Sequence, residues 1–170
     1  MKIKKGFIYL IFFFIFLSNN SSANDKIAFI DLDLILNTSN LGKKISENLN
    51  KINLSNNDKI KGREKLLIEE ENEIKKTQNV LSKEELNIKI TKLKEKFRKY
   101  NIEKDIMQDE FNKKREKEIL VFFEKINPLI QAYMDNNGIK LLIEKKNIFI
   151  GRSSDDITAN ILEIINDKFK

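Results

Sequence analysis

Asp31 and Asp33 stand two residues apart in "IDLDLIL", a spacing at which two carboxylates can hold a hard cation. The same pattern suits two polar positions at a strand end ahead of a helix, and that reading is adopted. Other chemistries lack their parts. The 170-residue chain has no His and no Cys, so no Ser-His or Cys-His pair exists and no unperturbed side chain titrates near pH 7. Five isolated glycines make no G-x-x-x-x-G-K phosphate loop. Glu69-Glu70-Glu71 reads as a solvated helix face, and Phe122-Phe123 as packing at a helix root. No enzymatic activity, catalytic residue, metal or cofactor is expected.

One charged feature stands out. Between Lys89 and Lys99 lie six basic residues, Lys89, Lys92, Lys94, Lys96, Arg98 and Lys99, against Glu95 alone. The next stretch, Glu103 to Glu110, is net acidic, so the positive charge is local. Lys89, Lys92, Lys96 and Lys99 recur at three- and four-residue spacing, which places them on one helical face beside Leu86, Ile90, Leu93 and Phe97. They are the candidate contacts for a bound polypeptide or an anionic surface. A solvated face with no role is the competing reading.

The elements that hold these residues are mostly helical. Ile27, Ala28, Phe29 and Ile30 in "KIAFIDLDLIL" form a short apolar run, read as a strand buried on both faces. Asn37 to Asn40 are helix-start residues. Ile45, Leu49 and Ile52 then share a face, and Ile60, Leu67, Ile74 and Leu81 repeat every seven residues. The other seam positions, Arg63, Glu70 and Thr77, are polar, so this is half a coiled-coil seam and its packing should be thin. "SKEE" at 82–85 is a capping box that opens a second helix. Its apolar row is interrupted at Lys104 and slips after Phe111. Pro128 should bend or loosen it, and Asn136-Asn137-Gly138 should end it. Two helices of roughly forty and fifty residues, joined by a tight turn, form an antiparallel arm that reaches about 60 Å.

Two apolar runs follow, Ile139–Ile143 and Asn147–Ile150, read as a hairpin of strands. The arm returns the chain to "KIAFI", so three strands meet at its root. "SSDD" at 153–156 should cap a last helix, whose face of Ile157, Ile161, Ile164 or Ile165, and Phe169 covers the sheet. The expected class is α+β: a small β-body at 24–40 and 136–170, with a helical arm at 41–135. So small a core, without disulfides, calls for oligomerisation through the sheet. Ile27, Phe29, Ile148 and Ile150 are the expected contacts of that body.

The first residues read as a targeting segment. Lys2, Lys4 and Lys5 precede eleven apolar residues, Phe7 to Leu17, and Ser21 and Ala23 suit a cut after Ala23. Eleven are too few for a membrane span, which needs roughly 20. Residues 1–23 are therefore read as a secretory signal peptide, with export from the cytoplasm. Losing those three lysines lowers the net charge from +6 to +3. That mild excess, together with export, argues against a nucleic-acid partner.

Taken together, the strand "KIAFIDLDLIL", the charged hairpin with "KGREKLLIEEE" at 61–71, and "IKLLIEKKNIFIGRSSDDITANIL" at 139–162 resemble the Skp/OmpH family of periplasmic chaperones. The resemblance covers nearly the whole chain beyond the signal. It implies a homotrimer, with a central β-body and three arms around a cavity. It also implies a periplasmic holdase that keeps unfolded outer-membrane proteins from aggregating without ATP. An envelope coiled-coil scaffold, or a protein that binds lipopolysaccharide or another anionic lipid surface, is the alternative.

Overall fold

The computed structural model describes residues 26–170. The signal-peptide expectation for residues 1–23 lies outside them. The described chain runs β1 (Lys26–Ile30), α1 (Leu32–Thr38), α2 (Asn40–Thr77), α3 (Lys83–Asn137), β2 (Ile139–Glu144), two 3-10 turns at Lys145–Asn147 and Ser153–Asp155, and α4 (Thr158–Lys168).

The arm leaves the root around a tight corner. Asp31 accepts the Leu34 amide at 2.8 Å and so starts α1 directly after β1. Buried Ser39 caps α2 by accepting the Gly42 amide at 3.1 Å. Gly42 is required there: a Cβ would fall 1.8 Å from the Leu36 carbonyl oxygen. From α4, the Asn166 side chain accepts the Asn40 amide at 2.7 Å and clasps the start of the arm. Sequence reasoning placed the first helix start at Asn37–Asn40; Ser39 does cap there, but α1 precedes it.

The far turn and the return follow the local signals. The Ser82 hydroxyl accepts the Glu85 amide at 3.2 Å, and the Glu85 carboxylate accepts the Ser82 amide at 3.1 Å. The Ser82 hydroxyl and amide hold the Glu85 pKa below the ordinary carboxylate range. The helix continues through exposed Pro128 to Asn137. Gly138 ends it with φ 66°, in the left-handed region.

An arm that goes out and back delivers β2 alongside β1 in the same direction. The pair is parallel, with Ala28 opposite Leu142 and Phe29 opposite Ile143. Below the arm, Ala28, Ile30, Ile35, Phe122, Ile126, Ile161 and Ile165 form one core. Phe122 is fully buried, with Phe123 edge-on at 5.5 Å between ring centroids. Each fully buried Ile or Phe there contributes roughly 1.5–3 kcal/mol of transfer free energy.

The α+β class stands, with a strand pair in place of three strands. The expected hairpin does not form. Lys145–Asn147 is a 3-10 turn, and Ile148–Ile150 carries no strand. The reason is where the chain must go next. The Ile157 amide donates to the Phe29 carbonyl at 3.0 Å, and Asp156 bridges Phe29 on the edge of β1 away from β2. Residues 145–155 are therefore spent crossing from one side of β1 to the other. A strand folded back along β2 could not reach that edge.

A polar chain locks the crossing. The Thr158 hydroxyl accepts the Asp31 amide at 2.9 Å and donates to Asp156. Asp156 also accepts the Thr158 amide at 3.0 Å and the Lys145 ammonium at 2.9 Å. Asp156, rather than a residue of Ser153–Asp155, thus satisfies the first turn of α4. Burial opposes the ionised Asp156, but the Thr158 and Lys145 hydrogen bonds outweigh it and lower its pKa. The Asp156 hydrogen bond raises the Lys145 pKa in turn.

A carboxylate with a depressed folded-state pKa stabilises above its unfolded pKa, and that stability is lost as pH falls through the folded value. The melting temperature should therefore drop as pH falls below about 4, the ordinary Asp range. Asp156→Asn should melt lower than the parent at neutral pH and lose less on acidification. Parallel acid slopes for the two proteins would show that the Asp156 cluster does not contribute.

Candidate functional site: the arm and the exposed end of its root

The arm is held at two ends and open between them. At the root it shares the body core through Leu41, Phe122, Ile126 and Ile130. Near the tip, Leu67, Ile74, Leu93 and Tyr100 form a second buried cluster, flanked by Ile60, Leu86, Ile90 and Phe97. Leu81, the last member of the seven-residue row, lies in the turn outside this cluster. Between the clusters, residues 43–66 and 101–121 contain no buried residue.

Two ion pairs cross the seam within the tip cluster and at its edge. Arg63 reaches across to Glu103, and Glu70 to Lys96 at 2.6 Å. These exposed ion pairs set the register of the two helices at little gain, about 0–1 kcal/mol each. Nearer the root the seam opens into grooves. Ile45, Leu49, Asn53, Phe111, Arg115 and Ile119 line one opening of about 550 Å³. Lys104, which breaks the apolar row, lines the next with Asn56, Asn57 and Met107.

All four candidate lysines are exposed. Lys96 is engaged by Glu70. Lys99 lies on the same groove, beside Arg63, Leu66 and Tyr100. Lys89 borders a groove with Glu70, Glu73 and Lys76 on the facing helix. Lys92 lines none of these openings.

The residues expected to join protomers divide. Phe29 is buried inside this chain, its ring under Gly151, and Ile148 is half-buried. Ile27 is 53% exposed and Ile150 83%. Phe149, passed over in the sequence, is 98% exposed and the most open large apolar residue of the root. The apolar run placed Phe149 in the same strand as Ile148 and Ile150, and only those two were named as contacts.

A long hairpin arm with a thin seam, raised on a two-stranded root that exposes phenylalanine and isoleucine, defines an arm-bearing α+β protein. The chain belongs to the OmpH-like outer membrane protein family, whose model matches residues 26–165. Its fold is similar to the crystal structure of a candidate outer membrane chaperone (OmpH-like) from Caulobacter crescentus. The TM-score is 0.77 and the identity 15%, over 84% of each chain. No curated protein sequence matches the chain.

Sparse packing predicts a graded opening of the arm. Amide exchange should be slowest in β1, β2 and the feet of the arm, intermediate around Leu67–Ile74 and Leu93–Tyr100, and fastest over 43–66 and 101–121. Exchange as slow in the middle of the arm as in the strands would rule out a yielding hinge there.

Proposed function

We propose that the protein is an ATP-independent periplasmic holdase that binds unfolded outer-membrane proteins and keeps them from aggregating. The observation that carries this reading is the arm itself. It has 38- and 55-residue helices around a middle with no buried residue, and it bears exposed Leu54, Leu66, Ile68, Ile88, Ile102 and Ile106. Such an arm yields at low cost and offers many weak apolar contacts among charges. Contacts that break singly need no nucleotide for release. Membership of the OmpH-like family and the similar outer membrane chaperone fold support the same reading.

The working unit is a homotrimer in this proposal. Residues 24–40 and 136–170 make the body, and 41–135 the arm of each protomer. Exposed Ile27, Phe149 and Ile150 at the root are the surface that other copies would cover. A body of this size gains stability from burying them. Melting should then depend on protein concentration, and light scattering should give three times the protomer mass. Phe149→Asp with Ile150→Asp should yield a monomer, because a charge buried in an apolar contact costs several kcal/mol. A parent chain that scatters as a monomer would remove the trimer.

The holdase is tested by diluting several unrelated outer-membrane β-barrel proteins from urea. Turbidity should be suppressed at near-stoichiometric protein without ATP. An envelope scaffold, built for one folded partner, would suppress none. Changing Lys89, Lys92, Lys96 and Lys99 to Gln should slow capture at low salt and matter little at high salt, because exposed charges steer encounters and are screened over about 8 Å at physiological ionic strength. Equal capture rates at low salt would leave these lysines without that role. Loss of binding to lipopolysaccharide micelles alone would instead favour the anionic-surface reading.

A further inference from the structure

The two legs of the arm are seated on the body by different means. The foot of α3 is packed, with Phe122 and Ile126 fully buried in the core. The foot of α2 enters that core with Leu41, and hydrogen bonds hold the rest of its first turn. The joint below it is one residue long. The Ser39 amide donates to the Ile35 carbonyl and ends α1, and the Ser39 hydroxyl accepts the Gly42 amide and starts α2. With so short a joint, the tilt of α2 depends on what holds its first two turns. That hold comes from the end of α4. Asn166 follows fully buried Ile165, so its side chain starts from a fixed point. Its carboxamide oxygen accepts the Asn40 amide at 2.7 Å, and its backbone oxygen accepts the Asn40 side chain at 3.4 Å. One turn on, the Lys44 ammonium donates to the backbone oxygen of Lys170 at 3.1 Å.

The opposite face of α2 meets open space. Gly42, Ser46 and Leu49 line the opening of about 550 Å³, across from Phe111 and Ile119 of α3. At about 100° per residue, Asn40 and Lys44 lie about half a turn round from them. The first turns of α2 are therefore tied on one side and have room to move on the other. Hydrogen bonds to water replace such ties at small net cost, but nothing in water replaces the packing of Phe122 and Ile126. If either leg tilts, it is α2. Tilting also brings Leu49 towards Phe111 and Ile119, so apolar surface is covered as the ties are lost.

We propose that the Asn40–Asn166 pair is a latch that holds α2 upright on the body, and that its release lets α2 tilt into the opening towards Phe111 and Ile119. The proposal goes beyond the holdase reading and does not depend on it: the latch sets how the arm stands on the body, whatever the arm holds. A tilt of about 10° at Asn40 moves Glu64, about 36 Å up the helix, by about 6 Å. The chain has no Cys, so spin labels enter only where a cysteine is placed. The test uses the protein without residues 1–23, carrying Glu64→Cys and Glu163→Cys at two exposed positions. Labelled protein is diluted into unlabelled protein, so that only distances within one chain are read.

Asn166→Ala should lengthen or broaden that distance by about 6 Å relative to the parent. Asn40→Pro should do the same from the other side of the latch. It removes the amide donor, yet proline suits the first position of a helix, and Ser39 already has the ψ of 153° that a following proline demands. Asn166→Asp keeps the acceptor and should stay at the parental distance. Ile165→Val weakens the core without touching the latch, and should lower the melting temperature while leaving the distance unchanged. Parental distances in both Asn166→Ala and Asn40→Pro overturn the latch. So does an equal change in Asn166→Asp or in Ile165→Val, because either would trace it to general loosening of the body. Where Asn166→Ala loses helix by circular dichroism, Asn40→Pro against Asn166→Asp decides the same question.

Discussion

Five residues, Lys26–Ile30, receive both ends of everything else. The backbone of Phe29 is paired on one edge with Ile143 of β2 and bonded on the other to Ile157. The arm, the crossing loop and α4 all meet at that short strand. Because β1 is shared, the direction of each neighbour is constrained. β2 must run parallel to it, so the chain between must go out and return. The segment after β2 must cross to the free edge, so it cannot be a strand of its own. The polar chain Lys145–Asp156–Thr158–Asp31 then fixes the crossing without any buried side-chain polar atom left unpaired among the described residues.

The root and the arm divide the work by packing density. Aliphatic side chains fill the root, and Ser39, Gly42 and Asn166 fix the corner where the arm departs. The arm has a stiff tip, an open middle and ion pairs that hold register more than they hold helices together. Packing the middle as well as the root would give a straighter, more stable rod, with fewer apolar surfaces left available. The thin seam thus supplies the yielding, and the apolar residues exposed on the helices supply the contacts, that the proposed function requires.

Local signals in the sequence were legible, and long-range ones were not. The Ser82–Glu85 box, the Gly138 end and the Ile60–Leu67–Ile74 row depend on residues within a turn or two of each other, and each stands where its pattern put it. Two things were misread. "LDLIL" after β1 holds a complete short helix, because Asp31 starts it at once and Ile35 turns into the core. The run Asn147–Ile150 has strand-forming residues but no strand, because pairing depends on a partner that the run itself cannot name. The basic run was legible as an exposed face, yet the tie of Lys96 to Glu70 follows from hairpin register and could not be read from either helix alone.

The parallel pairing has a consequence for the order in which this chain takes shape. β1 is the first described element to be synthesised, and its partner lies roughly a hundred residues later. Closing so long a span as flexible chain costs about 4 kcal/mol of entropy, before any strand bond is formed. Helices elongate in nanoseconds per residue, far faster than distant segments meet. The hairpin, once zipped, carries Ile139 back to within reach of Lys26 and removes most of that search. The arm is therefore also the molecule's folding guide. Until the residues that follow its return helix have emerged, the arm is a pair of helices with an unsatisfied strand at one end.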